Sequence, residues 1–406
     1  MNQSNLRPDR PWPVALEVET VAISPKIDSE ANWPQVEPLQ LASVWRMESP
    51  KAADGALDGT SSRFVYRRDG HPNDRALADQ LARLHGATRC VLTAQGMSSL
   101  AAVALATLNS GAKAWIAQEL YGKTHKLFRQ ELARWGVDCQ VFDPTCSQEL
   151  DRLGGQKASL VVVETISNPC LCLPDLQRLS KIAHDSGALL LVDNTFASHL
   201  ICRPLELGAD LVMESLSKIV CGHSDSMLGM VCGRDNSLMA SIASTISSFG
   251  MASSPLDCYL SQRGLATLGL RLARACETAA ELAQVLSNCP SVLKVNYPGL
   301  SDHRQHELAR RQLCGGFGWM LTFDLAGEIR EAECRIEKLM TSIPFCPSLG
   351  DVQTTVSHPA STSHRGIAIE ERQRLGIFPG TVRVSCGAEP TQWVVEQFLK
   401  AIQPGD

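Results

Sequence analysis

The chain of 406 residues carries no excess of positive charge: 38 lysines and arginines stand against 43 aspartates and glutamates, a net charge of -5. A nucleic acid or an anionic membrane surface needs a concentrated basic face, so neither is expected as a partner. No uninterrupted apolar run is long enough to span a bilayer. The opening "MNQSNLRPDRPWPV" lacks the apolar core of a secretion signal, so a cytoplasmic location is expected. C-x-x-C is missing as well. The fifteen cysteines are odd in number and scattered, with Cys170 and Cys172 as the nearest approach to a pair. That excludes the close pairs a structural zinc site requires, and the thiols read as reduced and mostly buried, with no metal expected. Neither a G-x-S-x-G elbow nor an H-E-x-x-H helix occurs, and no G-x-G-x-x-G supports a dinucleotide site. "YGKT" at 121–124 ends like a phosphate-binding P-loop, but Ala117 stands where the first glycine is needed.

What is present is a rhythm. Composition is that of an ordinary soluble chain, 44% hydrophobic and 20% charged, and the length exceeds what one core usually serves. From about residue 73, short apolar runs alternate with amphipathic stretches. "ALADQLARLHG" sets Leu77, Leu81 and Leu84 on one helical face and stops at Gly86. "CVLTA", "AWIA", "CQVF", "SLVVVE", "ALLLV", "DLVME" and "LGMVCG" read as strands, with helices such as "GMSSLAAVALATLNSG", "KTHKLFRQELARWG" and "PDLQRLSKIAHDSG" between them. The strands are apolar throughout rather than alternating, so both faces are covered. The fold class expected is α/β, a mostly parallel sheet wrapped by helices. Near 255–285 the beat changes to one long helical stretch. "WMLTFDL", "TVRVS" and the helix "QWVVEQFLKAI" then read as a smaller α+β domain. The division expected is 1–65 as an arm, 66–260 as the large domain and 261–406 as the C-terminal domain.

Ligands of such sheets bind at the carboxyl ends of the strands. After "CVLTA", Gln95, Gly96 and Met97 open a helix, a seat for an anion on free N–H groups; the same turn also reads as a plain tight turn. After "ALLLV" stands Asp193, a carboxylate at the mouth of an apolar strand, which also reads as a helix cap. After "DLVME" come Ser215, Leu216, Ser217 and Lys218. Together these suit a cofactor with a phosphate, a basic ring nitrogen and an aldehyde. Pyridoxal 5'-phosphate fits the set. The lysine takes the aldehyde as a Schiff base, the carboxylate keeps the ring nitrogen protonated, and the hydroxyls and helix N-terminus take the phosphate.

At these residues the chain resembles the Cys/Met-metabolism (trans-sulfuration) family of pyridoxal-phosphate enzymes. The likeness runs from about residue 36 to the C-terminal helix. It is carried by "VYRRDGHPN", "TAQGMSS", "LYGKTHKLF", "ETISNP", "LLVDNTF", "SLSKIVCGHSD", "DCYLSQRGLATLGLR", "YPGL", "GFGWMLTFDL", "SLGDVQTTVSHPASTSH" and "TVRVSCGAE". The resemblance implies the aspartate-aminotransferase-like fold (fold type I). It implies that Lys218 holds the cofactor and then moves protons, that Asp193 pairs with the ring nitrogen, and that Tyr121 stacks on the ring. It implies phosphate contacts from Gly96, Met97, Ser215 and Ser217, and Asn168 near the ring hydroxyl and the substrate. Arg383, helped by Ser348, would clamp the substrate's α-carboxylate. Tyr66 and Arg68 would reach the phosphate of a neighbouring subunit, making the chain a homo-oligomer: a dimer with shared sites, paired into a tetramer. Taken outside this context, Tyr121 also reads as core filling and Arg383 as a surface ion pair.

The sequence departs from the family pattern where substrate choice is decided. Tyr66-Arg67-Arg68-Asp69-Gly70-His71-Pro72-Asn73 stands for the usual Y-S-R-x-G-N-P-T. Gln95 replaces a small hydroxyl, Ile219 an aromatic, and Lys123 a glycine or cysteine; Pro347 stands where cystathionine γ-synthases and γ-lyases tend to have glutamate. Loss of that glutamate argues against cystathionine as the preferred substrate. The reaction expected first is elimination from a sulfur amino acid to a 2-oxo acid, ammonia and a thiol, as in cystathionine and methionine γ-lyases. The alternative is γ-replacement on an O-acylhomoserine, where Lys123 would meet the free carboxylate of a succinyl ester. A silent cofactor-binding protein is the remaining reading.

Overall fold

The computed structural model describes residues 34–326 and 329–402. Among the described residues no helix is long and apolar enough to cross a membrane. Seven strands form the large sheet: β1 (Arg89–Thr93), β2 (Lys113–Ala117), β3 (Asp138–Phe142), β4 (Leu160–Glu164), β5 (Leu189–Asp193), β6 (Leu211–Ser215) and β7 (Gly229–Gly233). Their order is β1-β7-β6-β5-β4-β2-β3. The five from β6 to β3 run parallel, and β7 runs against both of its neighbours. Every residue of β4 and of β7 is buried, as uniformly apolar runs covered on both faces require.

The smaller sheet is antiparallel: β8 (Val292–Asn296), β9 (Met320–Leu325), β10 (Thr355–Ser357) and β11 (Thr381–Ser385), ordered β10-β11-β9-β8. Trp319, fully buried, leads into β9 and packs on Phe196 just beyond β5, with ring centroids 6.0 Å apart. This contact carries the apolar core from one sheet to the other.

The helical readings need correction in two places. The 255–285 stretch is two helices, Pro255–Leu265 and Leu268–Ser287, parted at Ala266 and Thr267. The "KTHKLFRQELARWG" run opens as an α-helix, Gly122–Lys126, widens over Leu127–Glu131 and tightens over Leu132–Trp135. Leu127 is only partly buried, so its apolar spacing is met by an irregular helix rather than by a straight one. Of the arm expected at 1–65, residues 1–33 lie outside the described residues. The rest holds a short helix, Pro50–Leu57, which the sequence reading lacked, and a bridge of Val44 to Tyr66.

The helix Pro255–Leu265 lies hard against the segment that follows β6. A Cβ on Gly264 would stand 2.2 Å from the Cys221 carbonyl oxygen, so only glycine lets these backbones meet. Gly264→Ala is expected to cost about 1–3 kcal/mol, the range for overpacking a filled interior. Gly155→Ala, which meets nothing within 4 Å, is expected to leave stability unchanged. Denaturant unfolding of both variants checks the pair.

Candidate active site

The carboxyl ends of β4, β5 and β6 lie side by side, with Glu164 in register with Asp193. Each strand delivers one polar group at the point where its apolar run stops. Thr195 donates both its backbone N–H (3.0 Å) and its hydroxyl (2.5 Å) to Asp193 Oδ1. The Thr195 hydroxyl in turn accepts the Ser215 N–H at 2.9 Å. Burial pushes the Asp193 carboxyl up to about 6, against the two Thr195 bonds that lower it. Gly96 opens the helix Gly96–Thr107 directly against Ser215. A Cβ at that glycine would lie 2.8 Å from Ser215 Cβ, and Gln95 supplies no side-chain cap. A bare helix N-terminus is therefore brought beside Ser215, with partly buried Met97 next in line.

Lys218 sits on the turn that leaves β6. Its N–H is held by the Ser215 carbonyl at 3.2 Å and its carbonyl accepts the Gly222 N–H at 2.8 Å. Its Nζ donates to Ser348 Oγ at 3.1 Å. Burial, and then the nearby Arg383 charge, hold its amine below the usual lysine range.

Arg383 comes from β11, a strand paired on both sides, and is 2% exposed. Nη1 donates to Asn168 Oδ1 at 3.0 Å and Nη2 to the Ser348 carbonyl at 3.1 Å, while Nε is buried without a partner. Among the described residues no carboxylate lies within ion-pair distance of this guanidinium, and burial brings it down to about 10. The Asn168 N–H donates to Glu164 Oε2 at 3.1 Å, across a turn with a cis Asn168–Pro169 bond. Glu164 Oε1 accepts the Tyr121 N–H at 2.7 Å. One chain of hydrogen bonds thus joins Lys218, Ser348, Arg383, Asn168, Glu164 and Tyr121 across both sheets.

Three further expected site residues make these contacts within the chain. The Ser217 hydroxyl is committed to Leu228, accepting its N–H at 2.9 Å and donating to its carbonyl at 3.3 Å. Tyr66 is 46% exposed, with the Arg68 guanidinium 5.1 Å above its ring. Both line a cavity of ≈ 260 Å³ with Ser43, Arg67, Gly250, Ala252 and Ser253, and none of these contacts reaches Lys218 or Arg383.

Glu164 and His364 were missing from the sequence reading. Glu164 carries a legible signal, an acid ending an all-apolar strand one place before Asp193's. Burial, and then the Asp193 charge, push it well above the usual carboxylate range. His364 gave none. It is buried in the loop after β10, brought down to about 4 by burial and by Arg383, and hydrogen-bonds the Asn168 backbone. Elsewhere, His71, Asp74 and Cys258 bring ligand-type atoms within 4.8 Å of one another. His71 Nδ1 there already accepts the Asp74 N–H, and Asp74 Oδ2 the Ser253 hydroxyl.

A desolvated lysine, a buried carboxylate and an open helix N-terminus stand at one sheet edge, beside a guanidinium with no carboxylate partner among the described residues, in the fold of the aspartate-aminotransferase-like (type I) pyridoxal-phosphate enzymes. The particular family follows from comparison. A family model for the Cys/Met metabolism PLP-dependent enzymes matches residues 19–403, and the chain belongs to that family. It is 33% identical to the cystathionine gamma-lyase of Rattus norvegicus over 390 residues, 95% of each chain. It is 34% identical to the cystathionine beta-lyase of Bacillus subtilis over 370 residues, 90% of this chain and 92% of that one. The cystathionine gamma synthase of Xanthomonas oryzae pv. oryzae superposes with a TM-score of 0.90 at 32% identity, covering 96% of this chain and 98% of that one. The protein is a pyridoxal-phosphate-dependent enzyme of cysteine and methionine metabolism that acts on an amino acid.

Asp193 sets a pH signature. Its folded pKa lies above the unfolded value near 3.8, so the folded state holds the extra proton and loses stability as pH rises from about 4 to about 6. In cofactor-free protein, Asp193→Asn is expected to raise stability at pH 8 by about 1–3 kcal/mol and to leave it unchanged at pH 4. It is expected at the same time to weaken cofactor retention. Thermal melts across that range check the sign.

Proposed function

We propose that this enzyme breaks the carbon–sulfur bond of a sulfur amino acid, giving a 2-oxo acid, ammonia and a thiol, in the cytoplasm. The observation that carries the reading is Arg383: a buried fork with an unpartnered Nε, fixed 3.1 Å from the same Ser348 whose hydroxyl meets the Lys218 amine. A substrate α-carboxylate seated on that guanidinium is placed beside the Lys218 amine, the geometry that proton removal from the α-carbon requires.

When bound, pyridoxal phosphate supplies an aldehyde for an amine to hold and a protonated ring that accepts electrons released at the substrate's α-carbon. Lys218 holds that aldehyde and, once displaced by substrate, takes the α-proton on Nζ and returns it further along the side chain. Asp193, fixed by Thr195, keeps the ring nitrogen protonated; a cation seated there offsets the cost of its own burial. Gly96, Met97, Ser215 and Ser217 form the phosphate seat at the helix N-terminus, with the Ser217 hydroxyl supporting it through Leu228. Asn168, gripped from three sides, would meet the ring hydroxyl and the substrate. Tyr121, 40% exposed and anchored by its N–H, would offer its flat face to the ring and a proton to the departing sulfur.

On this reading residues 66–260 are the cofactor-holding unit and 261–406 the smaller domain that brings Arg383 and Ser348. The stretch expected as an arm over 1–65 leads to Tyr66 and Arg68, whose cavity does not include Lys218 of their own chain and which complete the site of a second copy in a dimer that pairs into a tetramer. The curated lyases in which the likeness is strong favour elimination. Lys123, exposed beside Tyr121, favours γ-replacement on an O-succinyl ester.

Cystathionine, methionine, cysteine, O-acetylhomoserine and O-succinylhomoserine, each with and without a thiol, separate the two. Oxo-acid and ammonia from a sulfur substrate are expected without a thiol. A new thioether formed only from an acylhomoserine plus thiol would replace the lyase reading with the transferase one. The shared site is tested by co-expressing Arg68→Ala and Lys218→Ala chains. The co-expressed mixture is expected to regain about a quarter of wild-type activity, since half of the dimers would be hybrids and each would carry one intact site of two. No recovery above Arg68→Ala alone would place Arg68 in its own chain's site.

A further inference from the structure

The turn that roots Lys218 is clasped by a second buried guanidinium. Arg271, on the helix Leu268–Ser287, is 7% exposed. Its Nη1 donates to the Ile219 carbonyl at 2.7 Å, and Nη2 to the Val220 carbonyl at 2.9 Å and the Gly264 carbonyl at 2.7 Å. Nε is steadied by the Thr267 hydroxyl at 3.1 Å. Ile219 and Val220 are the two residues directly after Lys218.

The fork lies flush on the backbone it holds. Gly222 closes the turn at φ +75°, and a Cβ there would stand 2.0 Å from Arg271 Nη1. On another side Gly350, two residues past Ser348, packs so closely that its Cβ would lie 2.4 Å from Ile219 N and 2.8 Å from the Lys218 carbonyl carbon. The helix Pro255–Leu265 closes a third side through Gly264. Three elements therefore converge on the four residues that follow the lysine.

Among the described residues no carboxylate lies within ion-pair distance of Arg271; such a buried cation is costly, and burial brings it down to about 10. Turns bury carbonyls more cheaply with amide or hydroxyl caps. What a guanidinium adds is a rigid plane that fixes three carbonyls in one geometry. Lysine has the opposite property: four methylenes leave its amine free to wander unless its root is fixed, and proton transfer is sensitive to displacements well under an ångström.

We propose that Arg271 is the positioning residue of Lys218, a clasp on the Ile219–Val220 carbonyls that aims the amine at the cofactor and the substrate α-carbon. The proposal rests on Lys218 being the cofactor lysine, and the experiment separates the two claims. Wild type, Arg271→Met and Arg271→Lys are stripped of cofactor, mixed with pyridoxal phosphate, and sampled with borohydride over time to count the adduct on residue 218. Their kcat and KM are measured per mole of bound cofactor.

Arg271→Met is expected to form the adduct about tenfold more slowly and to lose about tenfold in kcat, with KM little changed. Arg271→Lys, which keeps the charge but not the fork, is expected to fall between. A folded Arg271→Met protein with wild-type adduct rate and kcat, whatever its melting temperature, overturns the clasp. If Arg271→Met does not fold, Arg271→Lys decides: wild-type rates in that variant overturn the proposal, and slowed rates support it. Absence of any adduct at 218 in wild type instead overturns the reading of Lys218 itself.

Discussion

A positive charge without a negative partner governs this site. Among the described residues Arg383, 2% exposed, is held by a side-chain amide and a backbone carbonyl and by no carboxylate, with one N–H buried and unmatched. Such a charge is expensive to bury, and a fold keeps it where an anion is meant to arrive. The strand that carries it is paired on both sides, and two hydrogen bonds hold the fork itself. The ligand must come to it. The same charge acts on Lys218 and helps to hold the amine below the usual lysine range, the form that attacks an aldehyde and takes a proton.

The remaining geometry follows from bringing this residue of the small sheet to the mouth of the large one. Ser348 and Asn168 are the joints: one touches Arg383 and Lys218, the other Arg383 and Glu164. Glu164 ties Tyr121 to the same frame. On the other flank Asp193 and Thr195 reach Ser215 and the Gly96 turn. Acid, amine and guanidinium are thus each set by a different strand, and the separation of their roles comes from that. Tyr121, Lys123 and Pro347 are by contrast exposed.

Much of this was legible before any coordinates. The strand rhythm gives the parallel sheet, and the rule that ligands gather at strand carboxyl ends leads to Gly96, Asp193 and Lys218 from local sequence alone. Arg383, Asn168 and Ser348 have no local signal. Each is an ordinary residue whose meaning depends on a partner 35 to 215 positions away, and only resemblance to a family named them. Glu164 carries a local signal, an acid closing an apolar strand, but its partners, the Tyr121 and Asn168 N–H groups, do not. His364 and Arg271 have no signal for a different reason: the contacts that tie them to the site are to backbone, of Asn168 for one and of Ile219 and Val220 for the other, which every residue possesses and no sequence pattern marks. The helix break at Ala266 and Thr267 was missed because apolar spacing continues across it. The edge strands β8 and β10 were missed because one is half exposed and the other only three residues long.

The central claim is that a desolvated Lys218 amine, aided by Arg383, is the one covalent attachment point for the cofactor. The most direct test is borohydride reduction of the protein as isolated in the presence of pyridoxal phosphate, followed by proteolysis and mass mapping of every lysine. The account expects a visible absorbance that bleaches on reduction and a pyridoxyl mass on residue 218 alone, at one per chain. A colourless protein, or label spread over surface lysines with residue 218 unmodified, would contradict it.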